Sequence, residues 1–259
     1  MERFINPFSD VGFKRIFGQE ATKDLLIDFL NDLLTGEKTI TGITFLDKEI
    51  LPEYEGLRGA IYDIYCTDQD GENFIVEMQN GHQMYFRERS LFYLSHLIAR
   101  QGKPGGDWDF RVKAVYGVFF MNFRLSDMPH KLRTDVALCD LETHEQFSDK
   151  LRFIFIELPA FIKREEECET NFDKWIYTLK NMETLKAIPF KDRKKIFEKL
   201  EKTVDLASLS PEERDRYDES IKVYRDYVNT VAYAKHEGLR EGRREGQKDK
   251  QLEIARKMK

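Results

Sequence analysis

Three cysteines in 259 residues, Cys66, Cys139 and Cys168, are too few and too far apart for a disulfide framework. Their odd number and spacing exclude a zinc ribbon as well, and fit a reducing compartment. No apolar run is long enough to cross a bilayer. The longest, around Ala114 to Phe123, falls short of the roughly 20 residues that a spanning helix needs. The opening MERFINPFSD is polar from its second residue and has no signal-peptide character. A soluble, cytoplasmic protein without membrane contact is the expectation. Positive charge is not in excess either. Lys and Arg number 42 against 47 Asp and Glu, a net charge of −5. Any nucleic-acid contact must therefore come from a local basic surface. What the chain does have is 41% apolar and 13% aromatic residues, enough for a sizeable core in one large domain or a domain with an appendage.

The most informative stretch is Ile61 to Gln79, IYDIYCTDQDGENFIVEMQ. Aromatic and β-branched residues fill both arms and Asp-Gly punctuates the middle, which is the pattern of a β-hairpin. A three-residue loop, Gln69-Asp70-Gly71, puts glycine at the left-handed position that closes such turns. Asp68 then faces Glu72, and counting back along both strands sets Asp63 opposite Glu77. Directly opposed residues share a face about 5 Å apart at Cβ. Gln79, two residues beyond Glu77, shares that face. Ile75, Val76 and Met78 supply apolar side chains to both faces, as in a strand buried in an α/β sheet. Two acids and an amide thus meet in a sheet interior, where unpaired carboxylates are costly. A divalent cation would satisfy them; a cross-strand pair on an exposed sheet face is the bland alternative.

Before the hairpin, residues 6–34 carry helical spacing. Asp10 is a candidate N-cap for VGFKRIF, Gly18 interrupts, and Leu25, Leu26, Phe29, Leu30, Leu33 and Leu34 make an amphipathic run that Gly36 ends. A strand over residues 40–45 follows, then an irregular stretch, LDKEILPEYEGLRGA. After the hairpin the pattern predicts a helix over residues 85–100. Strands over residues 112–123 and 147–158 come next, the latter with a hairpin partner around residues 135–141. This order implies a mixed sheet flanked by helices.

From Phe172 strand signals thin out. Thr170 or Asn171 is placed to cap a helix holding Trp175, Ile176, Leu179 and Met182, and Ser210-Pro211-Glu212-Glu213 reads as a second capped start. The chain therefore divides into a core over residues 1–168, a helical subdomain over 169–234 and a charged helical tail over 235–259. The tail repeats Glu-Gly every four residues, at Glu237-Gly238, Glu241-Gly242 and Glu245-Gly246, with a basic residue three positions after each Glu. Three glycines cost a helix about 1 kcal/mol each against alanine. Either the tail is a solvated, fraying helix, or its glycine stripe admits a close partner, as a homodimer helix or a DNA-contacting arm.

The Asp63…Glu77-x-Gln79 arrangement resembles the active site of the PD-(D/E)xK nuclease superfamily. More closely, the chain is similar to its branch of PD-(D/E)xK nuclease family transposases, or recombination-promoting nucleases. The likeness rests on NPFSDVGFKRIFG, DIYCTDQDGENFIVEMQ, RERSLFYLSHL, GGDWDFRVKAVYGVFFMNF, FIFIELPAF and the Glu-Gly tail, taken in order. It implies an α/β, restriction-endonuclease-like core and metal-dependent hydrolysis of DNA phosphodiesters in recombination or mobile elements. It makes Asp63 and Glu77 catalytic ligands of Mg²⁺ or Mn²⁺, which favour hard oxygen donors. Asp10 is a further candidate metal ligand, because the first helix of such nucleases approaches the metal; its alternative is the N-cap. Gln79 stands where the superfamily usually has lysine. It can orient a water but brings no positive charge. Arg87 and Arg89, at the start of the following helix, are candidates for bidentate phosphate contact, against a surface pairing with Glu88. Lys14 is a candidate phosphate contact against a solvated lysine. Beside the DNA nuclease stand a catalytically silent DNA-binding or protein-interaction module on the same fold and, more weakly, an RNA nuclease.

Overall fold

A computed structural model of the chain describes residues 2–50, 60–105, 108–125, 131–191 and 194–257. Residues 51–59 of the irregular stretch before the hairpin lie outside the described residues. In chain order the elements are α1 (Asp10–Phe17), α2 (Lys23–Leu33), β1 (Ile43–Phe45), β2 (Glu49–Ile50), β3 (Ala60–Ile61), β4 (Ile64–Asp68) and β5 (Asn73–Gln79). Then come α3 (Phe86–Ala99), β6 (Val115–Met121), β7 (Arg133–Cys139), β8 (Gln146–Glu157), α4 (Asn171–Asn181), α5 (Ile196–Val204) and α6 (Pro211–Lys257).

The hairpin closes as its sequence dictates. Gly71 takes φ 74°, its N–H donates to Asp68 O at 3.1 Å, and Asp68 N donates to Glu72 O at 3.0 Å. The register that follows pairs Thr67 with Asn73 and Ile64 with Val76, so Asp63, one residue before β4, stands across from Glu77. β5, β6 and β8 run parallel at the centre of a six-stranded mixed sheet ordered β1-β4-β5-β6-β8-β7, with antiparallel strands on both flanks. β2 and β3 form a separate two-stranded ribbon.

All seven residues of β5 are buried, because helices cover both sheet faces. Phe74, Val76 and Met78 join Val118, Phe120, Ile154 and Ile156 under α1, α2, α4 and α5. Ile75 joins Val115, Phe119, Met121 and Phe155 under Phe86, Leu94 and Leu97 of α3. Phe120 is ringed by Phe13, Phe17 and Phe29 at centroid distances of 5.6, 6.1 and 5.1 Å. Trp175 of α4 packs on Phe17, Phe29 and Phe197, and its indole N–H donates to Asp28 at 2.8 Å. The helices after residue 168 therefore share one apolar core with α1 and α2. Trp175→Ala removes a fully buried ring and its hydrogen bond to Asp28, which keeps Lys194 Nζ at 2.8 Å. A loss of about 3–5 kcal/mol is expected, read as the shift in urea midpoint at unchanged slope. A loss below about 1 kcal/mol would show that α4 contributes little to the folded core.

Helix caps follow local chemistry, with one difference from the sequence reading. Thr170 and Asp173 form the capping box of α4. Ser210 Oγ accepts from Glu213 N at 3.2 Å and Ser210 N donates back to Glu213 Oε2 at 2.9 Å, with Pro211 in the first helical position. At α1, Ser9 rather than Asp10 is the cap: Ser9 Oγ accepts from Gly12 N at 3.1 Å. Asp10 sits one residue inside, where its charge complements the helix N-terminus. α6 is one unbroken helix of 47 residues that crosses residue 234. Its first turns bury Tyr217 and Ile221. Nothing lies within 4 Å of a side chain built on Gly238, Gly242 or Gly246.

Candidate active site

The site forms where the start of β4 meets the end of β5. Glu77 and Gln79 are 4% and 9% exposed, because α3 roofs their face of the sheet. Two reciprocal hydrogen bonds tie the acids together. Asp63 N donates to Glu77 Oε1 at 3.1 Å, and Met78 N donates to Asp63 Oδ2 at 2.9 Å. Gln79 Nε2 lies 3.4 Å from Glu77 Oε2. The spacing of fourteen residues between the two acids thus becomes contact across one hairpin, with the amide beside them.

Burial and mutual repulsion set the electrostatics. Removal from water pushes the Glu77 carboxyl up to about 8, and the Asp63 charge adds to it. The Asp63 N–H, Arg89 and the Gln79 amide pull the other way, without offsetting the first two. Asp63 is also raised, first by burial. The Met78 N–H, Lys14 and Lys48 oppose this and Asp10 adds to it. Two adjacent carboxylates that both resist ionising are a site short of positive charge.

Of the other residues read from the sequence, Asp10, Lys14 and Arg89 act on this pair. Asp10 and Lys14 of α1 form an ion pair with each other on the helix surface, and both fields reach Asp63. Arg89 bonds Gln83 and lies over the rings of Phe86 and Tyr93 at 5.5 and 5.7 Å. Its charge is felt at Glu77. Arg87, two positions earlier, leaves α3 on the other side and is exposed. His82 packs against Phe123 with ring centroids 5.0 Å apart.

α6 supplies residues the sequence reading did not single out. A cleft of about 800 Å³ opens beside Gln79, with Phe8, Asn80, His82, Tyr224 and Tyr227 in its walls. Tyr224 and Tyr227 are three apart and so share a helix face, but nothing local in the sequence marks them as neighbours of β5. Asn80 Nδ2 donates to Phe8 O at 2.7 Å, while its Oδ1 is buried without a partner.

Asp63 and Glu77 fit a hard divalent cation in donor type and electrostatics, since a cation would relieve the repulsion that raises both acids. Among the described residues no three His, Cys, Asp or Glu side chains gather into a metal cluster. Two carboxylates, backbone oxygens and water would therefore complete such a site. Among the described residues, no helix is long and apolar enough to cross a membrane. The model of one protein family, PD-(D/E)XK nuclease family transposase, matches residues 7–234. No curated protein and no solved structure matches the chain.

Proposed function

From the premise that this chain belongs to the PD-(D/E)XK nuclease family transposases, we propose that it is a metal-dependent DNA endonuclease acting in recombination or mobile-element transfer. The observation that carries the reading is the Asp63–Glu77 pair, Glu77 buried and Asp63 half-buried, held by reciprocal hydrogen bonds and raised in pKa on both members. In this reading Asp63 and Glu77 hold Mg²⁺ or Mn²⁺. The bound ion's chemistry is Lewis-acid polarisation of the scissile phosphate and a water made acidic enough to attack near neutral pH. The Met78 N–H fixes the Asp63 carboxylate through Oδ2. The Gln79 amide orients water with its carbonyl while its N–H₂ steadies Glu77. Arg89 supplies, from α3, positive charge on the side of the pair where Gln79 has none. Arg87 and Lys14 contact backbone phosphates, and Asp10 is a further candidate ligand once Lys14 turns to DNA.

The test is incubation of the purified chain with plasmid and linear DNA in Mg²⁺, in Mn²⁺ and in EDTA. Nicking or linearisation in either metal and none in EDTA is expected. DNA binding without cleavage in any metal would favour the silent module, for which Gln79 in place of a lysine speaks.

We also propose that the exposed half of α6 associates with a second copy. It presents Val231 and Leu239 to solvent beside the open glycine stripe. Deleting residues 235–259 should then lower the mass seen by light scattering and leave the core folded. An unchanged mass would return the tail to a solvated helix.

A further inference from the structure

The cleft beside Gln79 has a composition that holding a metal and a phosphate does not require. Phe8, Val11, Tyr224 and Tyr227 line it, with Arg216 set among Asp10 and Glu219. Apolar and aromatic surface is what a base seeks, and a guanidinium is what a phosphate seeks. Tyr227 lies directly against the loop from β5 to α3. A side-chain carbon built on Gly81 would sit 1.1 Å from the Tyr227 hydroxyl, so the absence of a side chain there lets α6 close this wall. Tyr227 is 38% exposed, which leaves part of it available for stacking. The unpartnered Asn80 Oδ1 in the wall is an acceptor, and nucleobases carry N–H donors on their edges; the wall must shift slightly to admit one. At about 800 Å³ the cleft is within the roughly 300–1,000 Å³ of small-molecule sites. That volume suits a single nucleotide.

We propose that the cleft is a nucleobase pocket. One base of the substrate strand, unstacked from its neighbours, lies against Tyr224 and Tyr227 while the adjoining phosphate reaches the Asp63–Glu77 pair. The preferred substrate is then single-stranded DNA or a frayed duplex end. This rests on the nuclease reading for the fate of the phosphate, but not for the binding of the base. Bases cost little to expose in a single strand, and stacking on an aromatic ring is tolerant of sequence. Arg216, which lines the same cleft, meets a backbone phosphate.

The experiment uses the full chain and a single-stranded oligonucleotide containing a fluorescent adenine analogue. Binding is read in EDTA as fluorescence quenching. Cleavage in Mg²⁺ is read as kcat/KM against a blunt duplex of the same sequence. Quenching is expected in the parent, with kcat/KM about tenfold or more higher on the single strand. Tyr227→Ala should weaken quenching and raise KM on the single strand about tenfold, and Tyr227→Phe should restore both. Gly81→Ala, which displaces the Tyr227 ring without removing it, should act like Tyr227→Ala. Circular dichroism confirms that the variants fold. Equal cleavage of both substrates, or quenching untouched by Tyr227→Ala and Gly81→Ala, overturns the pocket. Quenching that depends on Tyr227, without cleavage of either DNA, supports the pocket and overturns the nuclease reading. Cleavage without Tyr227-dependent quenching does the reverse.

Discussion

Glu77→Gln is expected to abolish DNA cleavage while leaving DNA affinity largely intact. Glu77 is 4% exposed, and both its carboxylate oxygens are engaged at the hairpin. The amide is close to isosteric, so the fold should survive. What it removes is one of two anionic oxygen donors for a cation that supplies both charge stabilisation and nucleophile. A deficit of several kcal/mol in the transition state corresponds to a rate loss on the order of a thousandfold. Affinity comes instead from basic side chains on phosphates and is set by salt. Removing a carboxylate should even relieve repulsion of the DNA backbone. Arg87→Ala should do the opposite, weakening binding to every sequence and reducing the salt slope by about 1. The reading fails if Glu77→Gln cleaves as fast as the parent under saturating Mg²⁺. Loss of binding together with cleavage, with the fold intact, would show that the metal bridges protein to DNA.

The metal-free protein should lose stability as pH rises from about 4.5 to about 8, and Glu77→Gln should remove most of that loss. Glu77 has its ordinary value of 4.5 in the unfolded chain and about 8 in the folded one. Below the lower value both states hold the proton, and the site imposes no penalty. Between the two values the unfolded chain has released it while the folded chain keeps it. The native state then binds more protons, so stability declines with pH. Above the higher value Glu77 ionises inside the fold and the decline stops. At about 1.4 kcal/mol for each pH unit the window amounts to about 5 kcal/mol. Asp63, raised in the same direction, adds to it. Arg89 and Lys14 face the pair and oppose the effect without cancelling it. Carboxyls held low by cations elsewhere, such as Asp135 and Asp173, stabilise the protein in the other direction, so the measurement is the difference between parent and variant. Urea unfolding across the window gives that difference. Mg²⁺ added at the alkaline end should raise the parent's midpoint and leave the variant's nearly unchanged. Parallel stability curves for the two proteins would mean that Glu77 is not the strained group.

Part of this architecture is written in short-range signals. Gly71 with its flanking Asp70 closes one turn, and strict alternation then carries the register back to Asp63 and Glu77. A one-residue slip would move every side chain of β5 to the other face. The caps at Thr170 and Ser210 are equally local, since each joins a hydroxyl to an N–H three residues on. These interactions span a few residues or one hairpin, and residue type alone selects among them. At α1 two adjacent cap-competent residues were available, and backbone geometry chose Ser9 over Asp10. Arg87 and Arg89 were equivalent in sequence; the side of α3 that packs on the sheet turned Arg89 toward Glu77. α6 runs unbroken across residue 234, because helical spacing continues there. What only the tertiary structure decided is the company the acids keep. Docking of α6 on the loop at Gly81 brings Tyr224 and Tyr227 beside Gln79, and α3 with the sheet core withdraws Glu77 from water. Both depend on contacts between segments far apart in the chain, which leave no periodicity behind and set the charge state of the pair through burial rather than through any neighbour in sequence.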